Sequence, residues 1–252
     1  MIRVRLIAMV VDLEDDTARR LIEQGAAVPF PEVGLIRSVI LCIAWIMCVP
    51  AAAEDAWRPL FNGKDLEGWA HVGPGSFQIE GGLLKTEGGM GLLWYTREKF
   101  GNVILRVVYK TSHPEDNSGV FIRIAEPPPD PWYAVHHGYE VQILERPPQG
   151  MPDDPFHTTG AIYSLSKAVA HAGKPPGEWN TMEITLRGPD TLVTLNDVEV
   201  NHYRGGQPVP PRQRQYEPER GPRPDSGYIG LQNHHADAEV YFKEVSVRPL
   251  KK

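Results

Sequence analysis

Residues 102–110 read Asn-Val-Ile-Leu-Arg-Val-Val-Tyr-Lys (NVILRVVYK), and this stretch decides the fold class. Side chains alternate across a strand, so Val103, Leu105, Val107 and Tyr109 share one face and predict a strand packed on a core. Working towards the N-terminus, Leu92 to Tyr95 follows a run containing Gly88, Gly89 and Gly91. Before it, Phe77-Gln78-Ile79 and Leu83-Leu84-Lys85 flank Glu80-Gly81-Gly82, a hairpin signal. Towards the C-terminus, strands are predicted at Val120–Ile124, Tyr139–Leu144 and Thr159–Tyr163. Thr181–Arg187 and Thr191–Val200 read as a hairpin pair turning at Gly188-Pro189-Asp190, with a second turn at Asn196-Asp197. Tyr228–Gln232 and Glu239–Val247 close the series. After residue 54 no segment shows a sustained 3.6-residue period with caps. Many short strands joined by Gly, Pro and Asn turns predict an all-β fold, a two-sheet antiparallel jelly-roll sandwich.

The beginning of the chain reads differently. Residues 39–49 (VILCIAWIMCV) form an uncharged apolar run after Arg37, followed by Pro50 and Ala51-Ala52-Ala53. A basic residue, an apolar stretch and a small-residue site, in that order, predict a cleavable export signal over residues 33–53. The run is too short for a membrane span, which takes about 20 residues. Residues 1–32 carry Asp12, Glu14, Asp15, Asp16, Arg19 and Arg20, which a signal peptide does not. They are read as a mis-assigned extension, with translation starting near Val33. The folded domain is then 54–252, periplasmic or secreted, with no membrane anchor after cleavage. Cys42 and Cys48 leave with the signal, so the domain holds no disulfide or thiol chemistry. A formal net charge of −6 without a basic run excludes nucleic acid as a partner.

Three loops are rich in proline: 125–138, 147–156 and 205–226. The last also carries Arg212, Arg214, Arg220 and Arg223. Loops of this length are functional or disordered, so it either walls a cleft or is a solvated tether.

Polar residues on strands mark a candidate site. In Tyr139–Arg146, Val141 and Ile143 share the core face, and Glu140 with Gln142 takes the open one. Glu145 joins Glu140 only across a bulge. Asn117-Ser118-Gly119 leads into Val120–Arg123, which puts Asn117 and Arg123 near the edge of that sheet, and a guanidinium offers five donors in a planar fork. Gln232 and His234 share a face of the Tyr228–His234 strand by the same two-residue rule. His157 is a further candidate base or metal ligand, whereas His136, His137 and His171 read as surface residues. A divalent metal ion is left open, because no H-E-x-x-H helix, C-x-x-C pair or calcium loop spells one out.

Seven motifs follow one another along the domain: FNGKDLEGW (61–69), NSGVFIR (117–123), GYEVQIL (138–144), TGAIYS (159–164), GEWNTMEI (177–184), LNDVEV (195–200) and SGYIGLQNH (226–234). In this order and spacing, from about Leu60 to Leu250, the chain resembles the 3-keto-disaccharide hydrolase domain family. The resemblance implies a fold of the concanavalin A-like lectin/glucanase type, whose concave sheet binds carbohydrate. It also implies cleavage of 3-keto-glycosides, in which a C3 ketone acidifies the C2 proton and β-elimination of the C1 substituent is followed by hydration. Such a site needs a base, an enolate stabiliser and a proton donor. Glu140 or His234 would be the base, and Arg123 or a bound cation would hold the enolate. Asn117, Gln142, Glu145, His157 and Gln232 would bind a keto-sugar substrate, with Trp94 and Trp132 stacking on pyranose faces. Trp69 and Trp179 read as packing. The family usually continues SGYIGLQNH with glycine, but His235 stands here, so which imidazole faces the cleft stays open. Two alternatives compete. One is a retaining glycosidase using Glu140 and Glu145, weakened by Gln142 where glucanases of this fold carry Asp; the other is a non-catalytic carbohydrate-binding module.

Overall fold

The computed structural model describes residues 56–250, except Pro148, Met151 and Ala236, together with 9–12, 27–29 and 38–41. The chain divides into two units, residues 1–53 and 54–252. In the first, strands β1 (Met9–Asp12), β2 (Ala27–Pro29) and β3 (Ser38–Leu41) form an antiparallel sheet with β3 in the middle. Apart from Ser38–Leu41, the expected export signal lies outside the described residues, as do both cysteines. Among the described residues no helix is long and apolar enough to cross a membrane.

The second unit carries strands β4 (Arg58–Pro59), β5 (Trp69–Val72), β6 (Ser76–Glu80), β7 (Leu83–Glu87), β8 (Gly91–Tyr95), β9 (Val103–Thr111) and β10 (Ser118–Ile124). Helix α1 (Pro131–His137) and β11 (Tyr139–Ile143) follow. The series ends with β12 (Asn180–Arg187), β13 (Asp190–Leu195), β14 (Val198–Arg204), β15 (Tyr228–Asn233) and β16 (Val240–Pro249). They build two antiparallel sheets. One has five strands in the order β11-β10-β15-β8-β5; the other runs β14-β13-β12-β9-β16-β7-β6, with β4 paired to β16. This is the two-sheet sandwich that the turn-punctuated short strands predict.

The core between the sheets follows the two-residue period. Leu105, Val107 and Tyr109 of β9 are buried there with Met182, Ile184 and Leu186 of β12, and face Val120, Ile122, Val141, Ile143 and Leu231 of the smaller sheet. In β16 a register shift between Phe242 and Glu244 inserts one residue. Val240, Phe242, Val245 and Val247 can therefore all point inward. The β6–β7 hairpin turns at Gly81 and Gly82, whose φ values of +57° and +81° favour glycine.

Two local expectations are corrected. Residues 159–163 form an irregular edge along β11 rather than a strand. The N–H groups of Thr159, Gly160 and Tyr163 donate to the carbonyls of Leu144, Gln142 and Glu140 at 3.0, 3.0 and 2.9 Å. Left-handed φ values at Gly160 (+87°) and Ser164 (+59°) break the pleat. Inside the 125–138 loop lies a real helix, α1. Asp130 caps it by accepting from the Tyr133 N–H at 3.0 Å, and Pro131 opens it. Seven residues are too few for a helical period to stand out in the sequence.

Candidate active site

The outer face of the five-stranded sheet has an apolar half and a polar half. Helix α1 lays Ala134 and Val135 over Leu92, Trp94, Phe121 and Ile124, a second hydrophobic cluster. The polar half is built by register. Gly119 of β10 pairs with Gln142 of β11, and its neighbour Val120 pairs with Leu231 of β15, which places Gln232 on Gly119's other side. Phe121 pairs with Glu140. Gly119, Glu140, Gln142 and Gln232 thus share one floor, and all three side chains are buried.

Gly119 decides how Glu140 sits. A Cβ at 119 would stand 2.7 Å from the Glu140 Cγ and closer still to Oε1, so the carboxyl rests on the bare backbone of β10. Burial pushes the Glu140 pKa up to about 8, against which a hydrogen bond from Gln232 acts only in part. Beside it, Gln142 donates from Nε2 to Asn117 Oδ1 at 3.1 Å. The side-chain amide oxygens (Oε1) of Gln142 and Gln232 are buried and have no hydrogen-bond partner among the described residues. Acceptors left open in this way, around a carboxyl, suit the hydroxyls of a polar ligand.

Tyr163 closes the site on the β11 side. Its backbone N–H is fixed on the Glu140 carbonyl. Burial first, then the nearby Glu140 carboxyl, raises its phenol pKa well above the ordinary tyrosine value, so the hydroxyl keeps its proton. His157 leans on the Tyr163 ring at 4.8 Å between centroids, with its Nδ1 3.1 Å from Asp154 Oδ2. The 205–226 loop is fastened through Arg220 and Arg223, although its residues 211–216 stay exposed. Arg220 donates to Ser164 Oγ at 3.2 Å and to Glu217 Oε2 at 3.0 Å, and Arg223 donates to the His136 and Gly138 carbonyls at 2.7 and 3.1 Å. It is a wall.

A family model described as the 3-keto-alpha-glucoside-1,2-lyase-like domain matches residues 56–248. The chain belongs to this family. The lyase-like domain is accordingly a carbohydrate-active one. A crystal structure of a protein provisionally described as a glycosyl hydrolase from Parabacteroides distasonis ATCC 8503 is 29% identical, with a TM-score of 0.64 over 78% of this chain and 100% of that one. A second such protein from the same organism is 21% identical, with a TM-score of 0.62 over 79% of this chain and 95% of its own. A Bacillus subtilis protein of unknown function with a galectin-like fold shares the architecture at 12% identity and a TM-score of 0.55, covering 78% and 96%. No curated protein matches the chain.

Within the lyase-like domain, the structure gathers Asn117, Glu140, Gln142 and Gln232 but not every residue expected with them. Arg123 sits at the β10 irregularity with φ +56°, which turns it out of the alternation. Its guanidinium, 1% exposed, donates to the carbonyls of Pro224 (3.1 Å), Gly188 (2.7 Å) and Asp190 (3.0 Å), so it ties loops together instead of joining the floor around Glu140. Glu145 stays off the floor because β10 and β11 pair without a bulge. It accepts from Thr159 Oγ1 at 2.8 Å and its charge bears on the core residue Tyr109, on the inner side. The two-carboxylate glycosidase reading loses its second carboxylate. Trp94 is buried edge-on against Tyr228 at 5.0 Å and packs instead of stacking on a ligand. Trp132 is exposed on α1 and stacks on His136, which is half-buried rather than a free surface residue.

His234 falls just past the end of β15, with its Nδ1 3.0 Å from that of His235. Desolvation and the adjoining His235 ring hold its pKa below the ordinary imidazole value, although the residue keeps an exposed edge. Among the described residues no group of three or more His, Cys, Asp or Glu side chains is placed to hold a metal ion. Gly119 and Tyr163 were not among the expected site residues. Both lie inside motifs visible in the sequence, NSGVFIR and TGAIYS, but nothing in a lone glycine or an irregular edge announces what it stands beside.

Proposed function

We propose that the lyase-like domain, exported by the signal over 33–53, cleaves 3-keto-glycosides by elimination and hydration. The observation that carries this reading is Glu140, a buried carboxyl with its pKa lifted to about 8 among amide acceptors and one phenol. A base poised near the working pH combines an available carboxylate with real proton affinity.

Glu140 takes the C2 proton of the keto sugar, and the C2–H electron pair moves into the enolate on the C3 oxygen. The donor to that oxygen is the Gln232 amide N–H that the Glu140 carboxyl does not use. The enolate collapses, the C1–O bond breaks, and the leaving oxygen accepts the Tyr163 proton. Water then adds across C1=C2: its hydroxide goes to C1 while its proton restores the Tyr163 phenol, and Glu140 returns its proton to C2, so both groups are reset and net hydrolysis results. His234, neutral at the rim, is the other candidate base. Arg123 takes no part, because backbone carbonyls occupy it.

The test is incubation of the protein with a 3-keto-disaccharide and with the same disaccharide unoxidised. Cleavage of the keto form alone supports the proposal. Cleavage of the ordinary sugar, or of neither, overturns it.

A further inference from the structure

Tyr216 lies on the 205–226 wall and is 40% exposed. Elimination at Glu140 makes no use of it, yet its support is elaborate. The adjoining Glu217 is 5% exposed, paired with Arg220 at 3.0 Å, and accepts from the Gln213 N–H at 3.0 Å. Arg220 in turn reaches Ser164, whose φ of +59° is a strained conformation for a residue with a Cβ. The Tyr216 hydroxyl accepts from Arg214, whose guanidinium lies 5.7 Å from the ring centroid. A buried ion pair and a strained turn thus hold an aromatic ring open to solvent.

Its position matters more than its exposure. Arg220, paired with Glu217 next to Tyr216, donates to Ser164, the residue after Tyr163, so the segment that carries Tyr216 is tied to the turn that carries the Tyr163 phenol. Trp132, 46% exposed, borders the same wall, because it stacks on His136, whose Nδ1 lies 3.2 Å from the Glu217 carbonyl. Two exposed aromatic rings therefore lie along the segment tied to the Tyr163 turn, and Tyr163 is the proton donor to the leaving oxygen in the proposed cleavage.

We infer that Tyr216, with Trp132 beside it, is the platform of a second sugar subsite, for the unoxidised pyranose that departs from C1 of the keto sugar. An exposed ring offers a flat apolar surface to the C–H face of a pyranose, and the Arg214 N–H groups that have no partner among the described residues suit its hydroxyls. The inference rests on the reading of Glu140 as the point of cleavage.

The experiment compares the full chain with its Tyr216→Ala and Tyr216→Phe variants on a 3-keto-disaccharide and on a methyl 3-keto-glucoside, which lacks a second ring. Y216A should lower the disaccharide to methyl glycoside ratio of kcat/KM about tenfold, mainly through KM, an effect of about 1.4 kcal/mol. Y216F keeps the ring and should keep the ratio. An unchanged ratio in Y216A overturns the subsite. If the wild-type chain cleaves neither substrate, the cleavage reading fails by itself and titration with the unoxidised disaccharide tests the subsite. About tenfold weaker disaccharide binding by Y216A, with methyl glucoside binding held, then supports it. No disaccharide binding by the wild type, or equal binding by Y216A, overturns it.

Discussion

The Glu140 carboxyl rests on the backbone of Gly119, one strand away, with no room for a Cβ between them. Both residues lie in a regular ladder, Gly119 opposite Gln142 and Glu140 opposite Phe121, so neither backbone can move aside cheaply. Gly119→Ala should therefore leave the sandwich folded and displace the carboxyl. Because a shift of about 1 Å can cost on the order of 100-fold in rate, kcat/KM on a 3-keto-glycoside should fall by about that factor. Circular dichroism would check the fold. A G119A protein with normal turnover would show that the Glu140 position is irrelevant to the chemistry.

Glu140 also fixes a pH dependence. As a base it works ionised, and its pKa is about 8. kcat/KM should rise with pH and level off above a midpoint near 8, instead of the acidic midpoint of an exposed carboxylate. Glu140→Gln should remove this ionisation together with several orders of magnitude of turnover. If His234 were the base, E140Q would keep both, and the midpoint would lie below the ordinary histidine value, in keeping with the direction of its shift.

The same shift bears on stability. A carboxyl whose pKa rises from 4.5 in the unfolded chain to about 8 in the fold keeps its proton longer in the native state. Stability from this group is complete below the unfolded value and is lost as pH rises through the folded one, by at most about 1.4 kcal/mol per pH unit. E140Q has no such proton. Between pH 5 and pH 8 its denaturation midpoint should fall less than that of the wild type; parallel curves would contradict the buried, protonated carboxyl.

The fold and half of the site were legible in the sequence, for a common reason. Period-two alternation in Val103–Tyr109 and Tyr139–Leu144 assigns faces directly, so the core and the shared face of Glu140 and Gln142 could be read without coordinates. What alternation cannot show is where it stops. Arg123 falls at an irregularity in β10 and leaves the face assigned to it. Glu145 stays on the inner side because no bulge intervenes. Tyr163 reaches Glu140 from an irregular turn in which Ser164 is left-handed, and the Tyr216 segment is fastened by the long-range Arg220–Ser164 hydrogen bond. Trp94 looked free because α1, which covers it, is too short to read.

Arg123 offers a test of that distinction. Its three carbonyl acceptors join β10 to the β12–β13 turn and to residue 224. Arg123→Ala leaves these carbonyls without their donor in a buried place, which should cost about 3 kcal/mol of stability. Turnover per folded molecule should hold at a temperature where the variant is native. A fold that is intact but inactive would restore Arg123 to the reaction.

Glu145 separates the two glycoside chemistries most cleanly. A retaining glycosidase needs two carboxyls about 5–5.5 Å apart on one side of the sugar, and loses orders of magnitude when either becomes an amide. Here the second carboxyl of the E-x-x-x-x-E spacing takes a hydrogen bond from Thr159 and packs where Gly173 leaves space, and burial raises its pKa. Glu145→Gln keeps the volume and an acceptor for the Thr159 hydroxyl. Since the carboxyl faces the inner side, the substitution should leave kcat/KM on a 3-keto-glycoside within about threefold, a change under 1 kcal/mol. A loss in E145Q as large as that in E140Q would mean that both carboxyls act on the substrate. It would return the domain to two-carboxylate hydrolysis, with β11 rearranged on binding.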